Sequence, residues 1–309
     1  MVCPLAESSF KSSITSAPLL LSSAPVGSSL GRAYCLLFAS RGANVVVNDL
    51  GGSFSGEGAS KSAADKVVDE IVEMGGKAVA SYESVSTMEG AEKTMQVAKD
   101  AFGSVHMLIN NAGILRDVSF AKMTEDDWDK IMEVHLRGAF CMTKAAWPFF
   151  REQSYGRVIL TASAAGIYGN FGQTNYSAAK LGLYGMGQTL AHEGKKYNIN
   201  TNVIAPVARS RMTETVMPPP LLEKLRPEAV APLVGWLCAE ESKESGSLFE
   251  VGAGRFFKLG WIRTNGYKSE AEGGVASLEE LRDNWKTVTD FTDAKMVRNI
   301  QESTMAFMR

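Results

Sequence analysis

The chain has 309 residues, 45% of them hydrophobic and 21% charged, enough for one large α/β domain or two small domains with a sizeable buried core. Its formal net charge of -2 excludes nucleic-acid binding driven by a basic surface alone. The four cysteines form no Cys-x-x-Cys pair, which favours a reducing compartment and argues against a metal site. No apolar run approaches the ~20 residues that span a bilayer, so we expect a soluble protein without a membrane span.

The first 29 residues differ in composition from the rest of the chain. They are rich in Ser, and Glu7 and Lys11 are their only charged side chains. A mitochondrial transit peptide is also poor in acidic residues but carries several arginines, and the apolar stretch APLLLSSAP is too short for a convincing secretory signal. We therefore interpret residues 1–29 as an atypical N-terminal segment without a targeting role.

From Gly31 onward, short apolar runs alternate with segments of helical spacing. The predicted strands are NVVVND, KAVASYESV, VHMLINNAG, GRVILTASAAG and INTNVIAP. The predicted helices are AADKVVDEIVEMGG, GAEKTMQVAKDAFG, TEDDWDKIMEVHLRGAFCMTKAAWPFF and YSAAKLGLYGMGQTLAHEGKKY. This alternation predicts parallel βαβ units with right-handed crossovers. The fold class is therefore α/β, a doubly wound, Rossmann-like parallel sheet that binds ligands at the carboxyl ends of its strands.

After IAPVARSRMT the alternation weakens. A proline cluster in MPPPLLEKLRPEAVAPLVGWLCAEE precedes a helix that could close over a site, and polar helix-like stretches such as SLEELRDNWKTVTDF follow. We find no internal repeat and no linker long enough to demand a second domain. We expect one domain at residues 30–251 and a C-terminal extension at residues 252–309 that packs on the same domain.

The stretch SAAGIYGNFGQTNYSAAK carries the candidate chemistry. Tyr176 and Lys180 lie one turn apart on a predicted helix, so both side chains share a face. A tyrosine with a pKa near ~10 is a poor base at neutral pH, but a neighbouring ammonium favours the phenolate and lowers that pKa. Tyr-x-x-x-Lys alone is typical of many helix surfaces. Ser163, at the end of the predicted strand RVILTAS, could hold a reacting oxygen and makes the set more specific.

Ser, Tyr and Lys at this spacing resemble the catalytic set of the short-chain dehydrogenase/reductase family. NNAG at residues 110–113, Asp49 after the second strand and IAP at residues 204–206 are further motifs of that family. Over roughly residues 30–303, segments such as VVVNDLGG, NNAGILRD, GIYGNFGQTNYSAAKLGL and LFEVGAG resemble the dehydrogenase unit of multidomain enzymes of peroxisomal β-oxidation. The resemblance implies NAD-dependent oxidation of (3R)-3-hydroxyacyl-CoA to 3-ketoacyl-CoA. It also implies a homodimer formed through the two long helices, and peroxisomal residence.

The chain ends in AFMR, which is not a tripeptide of the Ser-Lys-Leu type. We therefore expect no peroxisomal address within the chain itself, and cytosolic residence stays open.

The same resemblance implies roles for individual residues. Tyr176 is the implied general base, Lys180 its electrostatic partner and a donor to the nicotinamide ribose, and Ser163 the residue that binds the substrate oxygen. Asp49 is implied to accept hydrogen bonds from the adenosine ribose, and its charge would repel a 2′-phosphate and select NAD. Asp49 and NNAG are also typical of ordinary turns, and that alternative stays open. The other implied cofactor contacts are Gly27, Leu30, Gly31, Ser84, Val85, Asn111, Ala208, Ser210 and Arg211, and Tyr176 is implied to contact the cofactor as well.

Two positions depart from the common family pattern. His135 stands where many members have a catalytic Asn, and we interpret it as a support for the helix and a water rather than as a base. Arg209 stands where the relatives carry a small residue, and it adds bulk and charge near the expected position of the nicotinamide carboxamide.

The phosphate-binding loop departs further. Aligned on LGRAY, the family's Thr-Gly-x-x-x-Gly-x-Gly falls on residues 24–31, so the first glycine is Pro25 and the glycine nearest the pyrophosphate is Ser29. Proline lacks an N–H and fixes φ, and a serine side chain crowds the approach to the pyrophosphate, whereas Gly31 is retained. The run APLLLSSA must then supply the central first strand. Two functions stay open: a working enzyme with weakened cofactor affinity, and a non-catalytic, dimerising relative.

Overall fold

The computed structural model describes residues 18–22, 30–51, 62–208 and 223–308, and its centre is an eight-stranded sheet. The strands are β1 (Pro18–Ser22), β2 (Asn44–Asn48), β3 (Lys77–Ser81), β4 (Met107–Asn110), β5 (Gly156–Thr161), β6 (Ile199–Pro206), β7 (Leu248–Gly252) and β8 (Arg255–Leu259). Their order is β3-β2-β1-β4-β5-β6-β7-β8, and the pairs from β3 to β7 are parallel. The chain winds outward from β1 to β3 and then returns to β4. The predicted doubly wound sheet is confirmed, and its topological switch point lies between β1 and β4.

Helices cover both faces of this sheet. They are α1 (Leu30–Ser40), α2 (Ser62–Glu73), α3 (Met88–Phe102), α4 (Glu125–Ile131), α5 (Gly138–Glu152), α6 (Ala164–Tyr168), α7 (Thr174–Gly194) and α8 (Ala231–Cys238). α1 packs against α2 and α8, and α3 packs against α5. Short 3-10 segments lie at Phe120–Lys122, Lys195–Tyr197 and Pro227–Ala229. β4 and β5 are buried along their whole length, as strands covered on both faces must be.

The first strand lies in the central position. Leu20 pairs in parallel register with Val46 of β2 on one side and with Leu108 of β4 on the other. The prediction that APLLLSSA supplies the central strand is therefore confirmed. Gly27, Pro25 and Ser29 lie outside the described residues.

The helix predicted over residues 124–150 needs a correction. α4 and α5 are joined by a π-helical segment at Met132–Arg137, so the middle of the predicted helix has a wider turn than an α-helix. α4 begins with a capping box in which Thr124 and Asp127 satisfy each other's backbone N–H groups. The π segment contains His135, whose side chain contacts the loop after β4.

The chain divides into two compact units, Met1–Phe257 and Lys258–Arg309, so the division falls within β8. The second unit contains a small antiparallel pair, β9 (Ile262–Arg263) and β10 (Lys295–Met296). Its helices are α9 (Leu278–Asp283), α10 (Trp285–Val288) and α11 (Ile300–Met305). The unit begins later than the expected boundary after residue 251, and the packing of the extension on the main domain stays a prediction.

Two features are absent from the described ranges. No helix there is both long and apolar enough to cross a membrane. No group of three or more His, Cys, Asp or Glu side chains there is arranged to hold a metal ion.

The start of α3 should be sensitive to a single methyl group at Gly90. A Cβ on Gly90 would lie 2.1 Å from the carbonyl oxygen of Ser84, which is a backbone atom that cannot rotate away. We expect Gly90→Ala to lower the free energy of unfolding by about 1–3 kcal/mol because the segment carrying Ser84 must move. Glu92→Ala, at an exposed position on the same helix, should change it by less than about 0.5 kcal/mol. Urea unfolding compares the two variants, and equal midpoints would contradict this packing.

Candidate active site

Ser163, Tyr176 and Lys180 come together at the carboxyl end of β5. Ser163 follows β5 and caps α6, where its Oγ accepts a hydrogen bond from the N–H of Ala165 at 3.2 Å. Tyr176 and Lys180 lie at the start of α7, with the Lys180 Nζ 5.4 Å from the centre of the Tyr176 ring. The Ser163 hydroxyl lies close enough to the Tyr176 phenol to lower its pKa. The structure therefore assembles the three residues that the sequence pattern singled out.

Burial dominates the electrostatics of this trio. Lys180 is 3% exposed, and its Nζ donates a hydrogen bond of 2.6 Å to the carbonyl oxygen of Thr161 on β5. Burial lowers the pKa of Lys180 to about 7. Burial also raises the pKa of Tyr176 to about 12; the nearby Ser163 hydroxyl opposes this rise, and the charge of Asp117 adds to it. The lowered pKa that we expected for Tyr176 from its lysine neighbour is thus wrong for the cofactor-free chain, since desolvation penalises the charged forms of both groups.

His135 supports the tyrosine and the loop after β4. It is 3% exposed, and its Nε2 lies 3.1 Å from the backbone N and 2.8 Å from the backbone O of Ile114. Nε2 accepts a hydrogen bond from the N–H in one tautomer and donates one to the carbonyl oxygen in the other. Its ring meets the Tyr176 ring in a T-shaped contact with centroids 5.1 Å apart. Burial and the charge of Lys180 hold the pKa of His135 well below its usual value. A neutral, buried imidazole that contacts backbone and an aromatic ring is suited to holding these groups in place.

The predicted cofactor residues that the structure describes follow successive strands at the same edge of the sheet. Asp49 follows β2, is 4% exposed, and accepts a hydrogen bond of 2.7 Å from the N–H of Gly51. The turn that we considered for Asp49 is therefore present. The Asp49 carboxylate also lies at the edge of the sheet where the strands end. The other predicted contacts lie as follows: Leu30 and Gly31 open α1, Ser84 and Val85 follow β3, Asn111 follows β4, and Ala208 follows β6. Gly27, Ser210, Arg211 and Arg209 lie outside the described residues.

Sequence reasoning missed Asn48, which fixes the segment after β3. Asn48 is 1% exposed at the end of β2, and its side-chain amide donates a hydrogen bond of 3.1 Å to the carbonyl oxygen of Glu83. Its Oδ1 accepts a hydrogen bond of 3.2 Å from the N–H of the same residue. The Glu83 backbone, which leads to Ser84 and Val85, is thereby tied to β2. An amide within the apolar run NVVVND was the available signal.

A cavity of about 10 Å³ lies beside the Lys180 side chain. Its lining includes Asn110, His135, Thr161 and Lys180. Asn110 Oδ1, His135 Nδ1 and Thr161 Oγ1 are buried polar atoms without a hydrogen-bond partner among the described residues. The cavity is too small for a substrate or a dinucleotide.

A groove of about 820 Å³ lies elsewhere, between Trp147 of α5 and His192 near the end of α7. Tyr176 is at the opposite end of the 21-residue helix α7. Because ligands of open parallel sheets bind at the carboxyl ends of the strands, the size of this groove does not make it the active site.

Residues 26–220 match the family model described as short chain dehydrogenase. The chain belongs to the short-chain dehydrogenase family. This oxidoreductase family has the Rossmann-like fold observed here, so the predicted family and enzyme class are confirmed.

Individual relatives of this short-chain dehydrogenase are similar over most of its length. The chain is 57% identical over 278 residues to peroxisomal multifunctional enzyme type 2 of Mus musculus, which covers 90% of this chain and 37% of that protein. The structure of the full-length peroxisomal multifunctional enzyme type 2 from Drosophila melanogaster matches with a TM-score of 0.80 and 40% identity, over 95% of this chain and 49% of that one. A short chain dehydrogenase from Mycobacterium avium matches with a TM-score of 0.75 and 37% identity, over 89% and 95% of the two chains. This chain spans 29% to 37% of the length of the first three curated relatives it matches. The resemblance to a multidomain peroxisomal enzyme is thus confirmed for its dehydrogenase region.

Replacing the buried lysine should stabilise the cofactor-free short-chain dehydrogenase. Below pH ~7 the folded protein bears the full cost of burying the Lys180 ammonium, so Lys180→Met should raise the free energy of unfolding by about 1–3 kcal/mol. The folded-state pKa of Lys180 is about 7, so as pH rises above it the folded chain loses this proton. The unfolded chain keeps it up to pH ~10, so the stability of the parent rises over that interval and the gain from Lys180→Met shrinks.

Urea unfolding at pH 6 and pH 9.5 measures this difference. Lys66→Met, at an exposed position on α2, is the matched control and should show no such pH dependence. A gain from Lys180→Met that is absent at pH 6, or equal at both pH values, would contradict the inferred burial cost.

Proposed function

We propose that the protein catalyses NAD-dependent oxidation of a (3R)-3-hydroxyacyl-CoA to the 3-ketoacyl-CoA in peroxisomal fatty-acid β-oxidation. The observation that carries the proposal is the partly buried phenol of Tyr176, which lies close to the Ser163 hydroxyl and to the amine of Lys180. The substrate class is supported by the names of relatives, which include peroxisomal hydratase-dehydrogenase-epimerases.

The residues at the edge of the sheet fit a nicotinamide dinucleotide. Asp49 offers a buried carboxylate beside the switch point, suited to a ribose diol and unfavourable to a 2′-phosphate. Lys180 donates one hydrogen bond among the described residues, to Thr161, and an ammonium has three N–H groups. The N-terminus of α1 at Leu30 and Gly31 offers backbone N–H groups and a positive dipole end to a phosphate. The remaining proposed contacts are Gly27, Ser84, Val85, Asn111, Ala208, Ser210 and Arg211.

The proposed chemistry divides among three side chains. NAD, when bound, supplies the acceptor for the hydride that leaves the substrate carbon. Ser163 holds the substrate hydroxyl oxygen, and the phenolate oxygen of Tyr176 takes the hydroxyl proton. Lys180 in its protonated form stabilises that phenolate and donates to the nicotinamide ribose. His135 holds the Tyr176 ring through their T-shaped contact.

We also propose that the protein is a homodimer formed through α5 and α7. Phe140 on α5 is 50% exposed and Leu181 on α7 is 40% exposed, so both helices present apolar side chains on their outer faces. Peroxisomal residence follows from the relatives, and cytosolic residence is the alternative.

A second candidate function is a non-catalytic, dimerising relative that seldom holds NAD. It is favoured by Pro25 and Ser29, which replace the glycines expected in the phosphate-binding loop. The intact trio of Ser163, Tyr176 and Lys180 favours the enzyme.

Tyr176→Phe tests the proposed base. Removal of the phenol oxygen should lower kcat for a 3-hydroxyacyl-CoA by about 10²- to 10⁴-fold, because the hydroxyl proton loses its acceptor. Tyr184→Phe is the matched control, since Tyr184 is a 7% exposed tyrosine on the same helix. NADH production in a stopped assay measures the rate, and NADH fluorescence checks that cofactor binding is retained. Equal rates for Tyr176→Phe and the parent would overturn the mechanism.

Restoring the loop glycines separates the two candidate functions. The double variant Pro25→Gly/Ser29→Gly should bind NADH about 5- to 150-fold more tightly, since it regains one backbone hydrogen bond worth about 1–3 kcal/mol. Its kcat should stay close to that of the parent. Fluorescence titration measures the affinity. Equal affinities would contradict the inferred loop defect, and an absence of saturation in both proteins at millimolar NADH would favour the non-catalytic relative.

A further inference from the structure

Asn175, the residue before Tyr176, has a fully buried side chain that joins three segments of the chain. Its Nδ2 donates to the carbonyl oxygen of Asp127 in α4 at 2.8 Å and to that of Arg116 at 3.3 Å. Its Oδ1 accepts a hydrogen bond of 2.8 Å from the backbone N–H of Tyr176. One amide thus connects the catalytic tyrosine to α4 and to residues 111–119, which we call the β4–α4 loop.

The start of α7 explains why this amide is needed there. The first N–H groups of a helix have no partner within the helix and are usually satisfied by the N-cap side chain. Gln173 occupies the N-cap position of α7 but makes no capping hydrogen bond. Its side chain donates instead to Asp117 Oδ2 at 2.7 Å. Asn175 therefore provides the acceptor for the N–H of Tyr176.

The β4–α4 loop is tied to the start of α7 at further points. The N–H of Val118 donates to the carbonyl oxygen of Gly172 at 2.9 Å, next to the pair formed by Gln173 and Asp117. The same loop contains Ile114, which contacts His135. A loop that begins with the predicted cofactor residue Asn111 is therefore held against the helix that carries the predicted base.

We propose that Asn175 is a positioning residue that fixes the Tyr176 phenol relative to the β4–α4 loop through its two donated hydrogen bonds. The proposal rests on the proposed function in that Tyr176 is taken as the base. Loss of these bonds leaves two partly buried carbonyl oxygens with one partner fewer and frees the first turn of α7 to move. Because the reacting atoms must lie within a few tenths of an ångström of their productive positions, such movement lowers kcat more than substrate binding.

Asn175→Ser and Asn175→Asp test the donated bonds specifically. Both variants keep a side-chain oxygen that accepts from the Tyr176 N–H, and both lose the amide donors to Arg116 and Asp127. The matched control is Asn202→Ser, because Asn202 is another fully buried amide that bridges two segments, donating to Glu244 O at 2.7 Å and accepting from Ser247 N at 3.2 Å. Each protein is assayed for kcat and KM with a 3-hydroxyacyl-CoA and NAD, and for hydrogen exchange by mass spectrometry.

We expect kcat of both Asn175 variants to fall by about 10- to 100-fold, with KM for the thioester within about 3-fold of the parent. Hydrogen exchange should become faster both in residues 111–119 and in residues 174–180. Asn202→Ser should keep kcat within about 3-fold of the parent, even if it is less stable. An Asn175→Ser variant with parental kcat, or an equal loss in Asn202→Ser, would overturn the proposal.

The exchange measurement separates this proposal from the proposed function. If the parent does not oxidise the thioester at all, the proposed function has failed. Faster exchange of residues 111–119 in Asn175→Ser then still supports the link between loop and helix, whereas unchanged exchange overturns it.

Discussion

The site depends on the burial of an amine beside a phenol. Lys180 is buried and Tyr176, one helical turn away, is partly buried; desolvation lowers the pKa of Lys180 and raises that of Tyr176. This burial requires close packing around α7, and Gly166 permits it, since a Cβ there would lie 2.9 Å from the Cβ of Lys180. The carbonyl oxygen of Thr161 accepts a hydrogen bond from the amine. The electrostatic state of the pair is therefore set by how α6 packs on α7 and how α7 packs on β5.

The parallel sheet brings together residues that are distant in the chain. Asp49, Asn111 and Ser163 each follow a different strand, and because those strands run in the same direction, all three lie at one edge. β1 occupies the centre of this arrangement, so the short run at Pro18–Ser22 aligns the two halves of the sheet. Side chains such as Asn48 then fix the loops that leave this edge.

Local sequence patterns predicted most of the fold. The features that they did not predict depend on contacts between residues distant in the chain. The strand INTNVIAP was predicted with the observed bounds, Ile199–Pro206, because strands buried on both faces are recognisable from their own residues. The trio at the site was predicted from spacing and resemblance. The π-helical turn around His135 and the three hydrogen bonds of Asn175 were not predicted from the sequence. Apart from the adjacent Tyr176, the residues that His135 and Asn175 bond lie 21 to 59 positions away in the chain. The raised pKa of Tyr176 was missed because spacing gives the distance to a charge but not the depth of burial.

The roles proposed for the trio and for the altered glycine motif are separable in kinetic terms. Tyr176 contacts His135 of the π-helical segment and lies close to Ser163 at the start of α6, and Lys180 donates to Thr161 at the end of β5. A defect in a loop that holds a phosphate far from the reacting carbon weakens binding of the ground state and the transition state alike. Such a defect raises the cofactor concentration needed for half-maximal rate without lowering kcat. Furthermore, a protein that only dimerised would be more stable without a buried ammonium, whereas a dehydrogenase needs it. The presence of Lys180 therefore argues for catalysis in a chain whose glycine loop argues for weak cofactor binding.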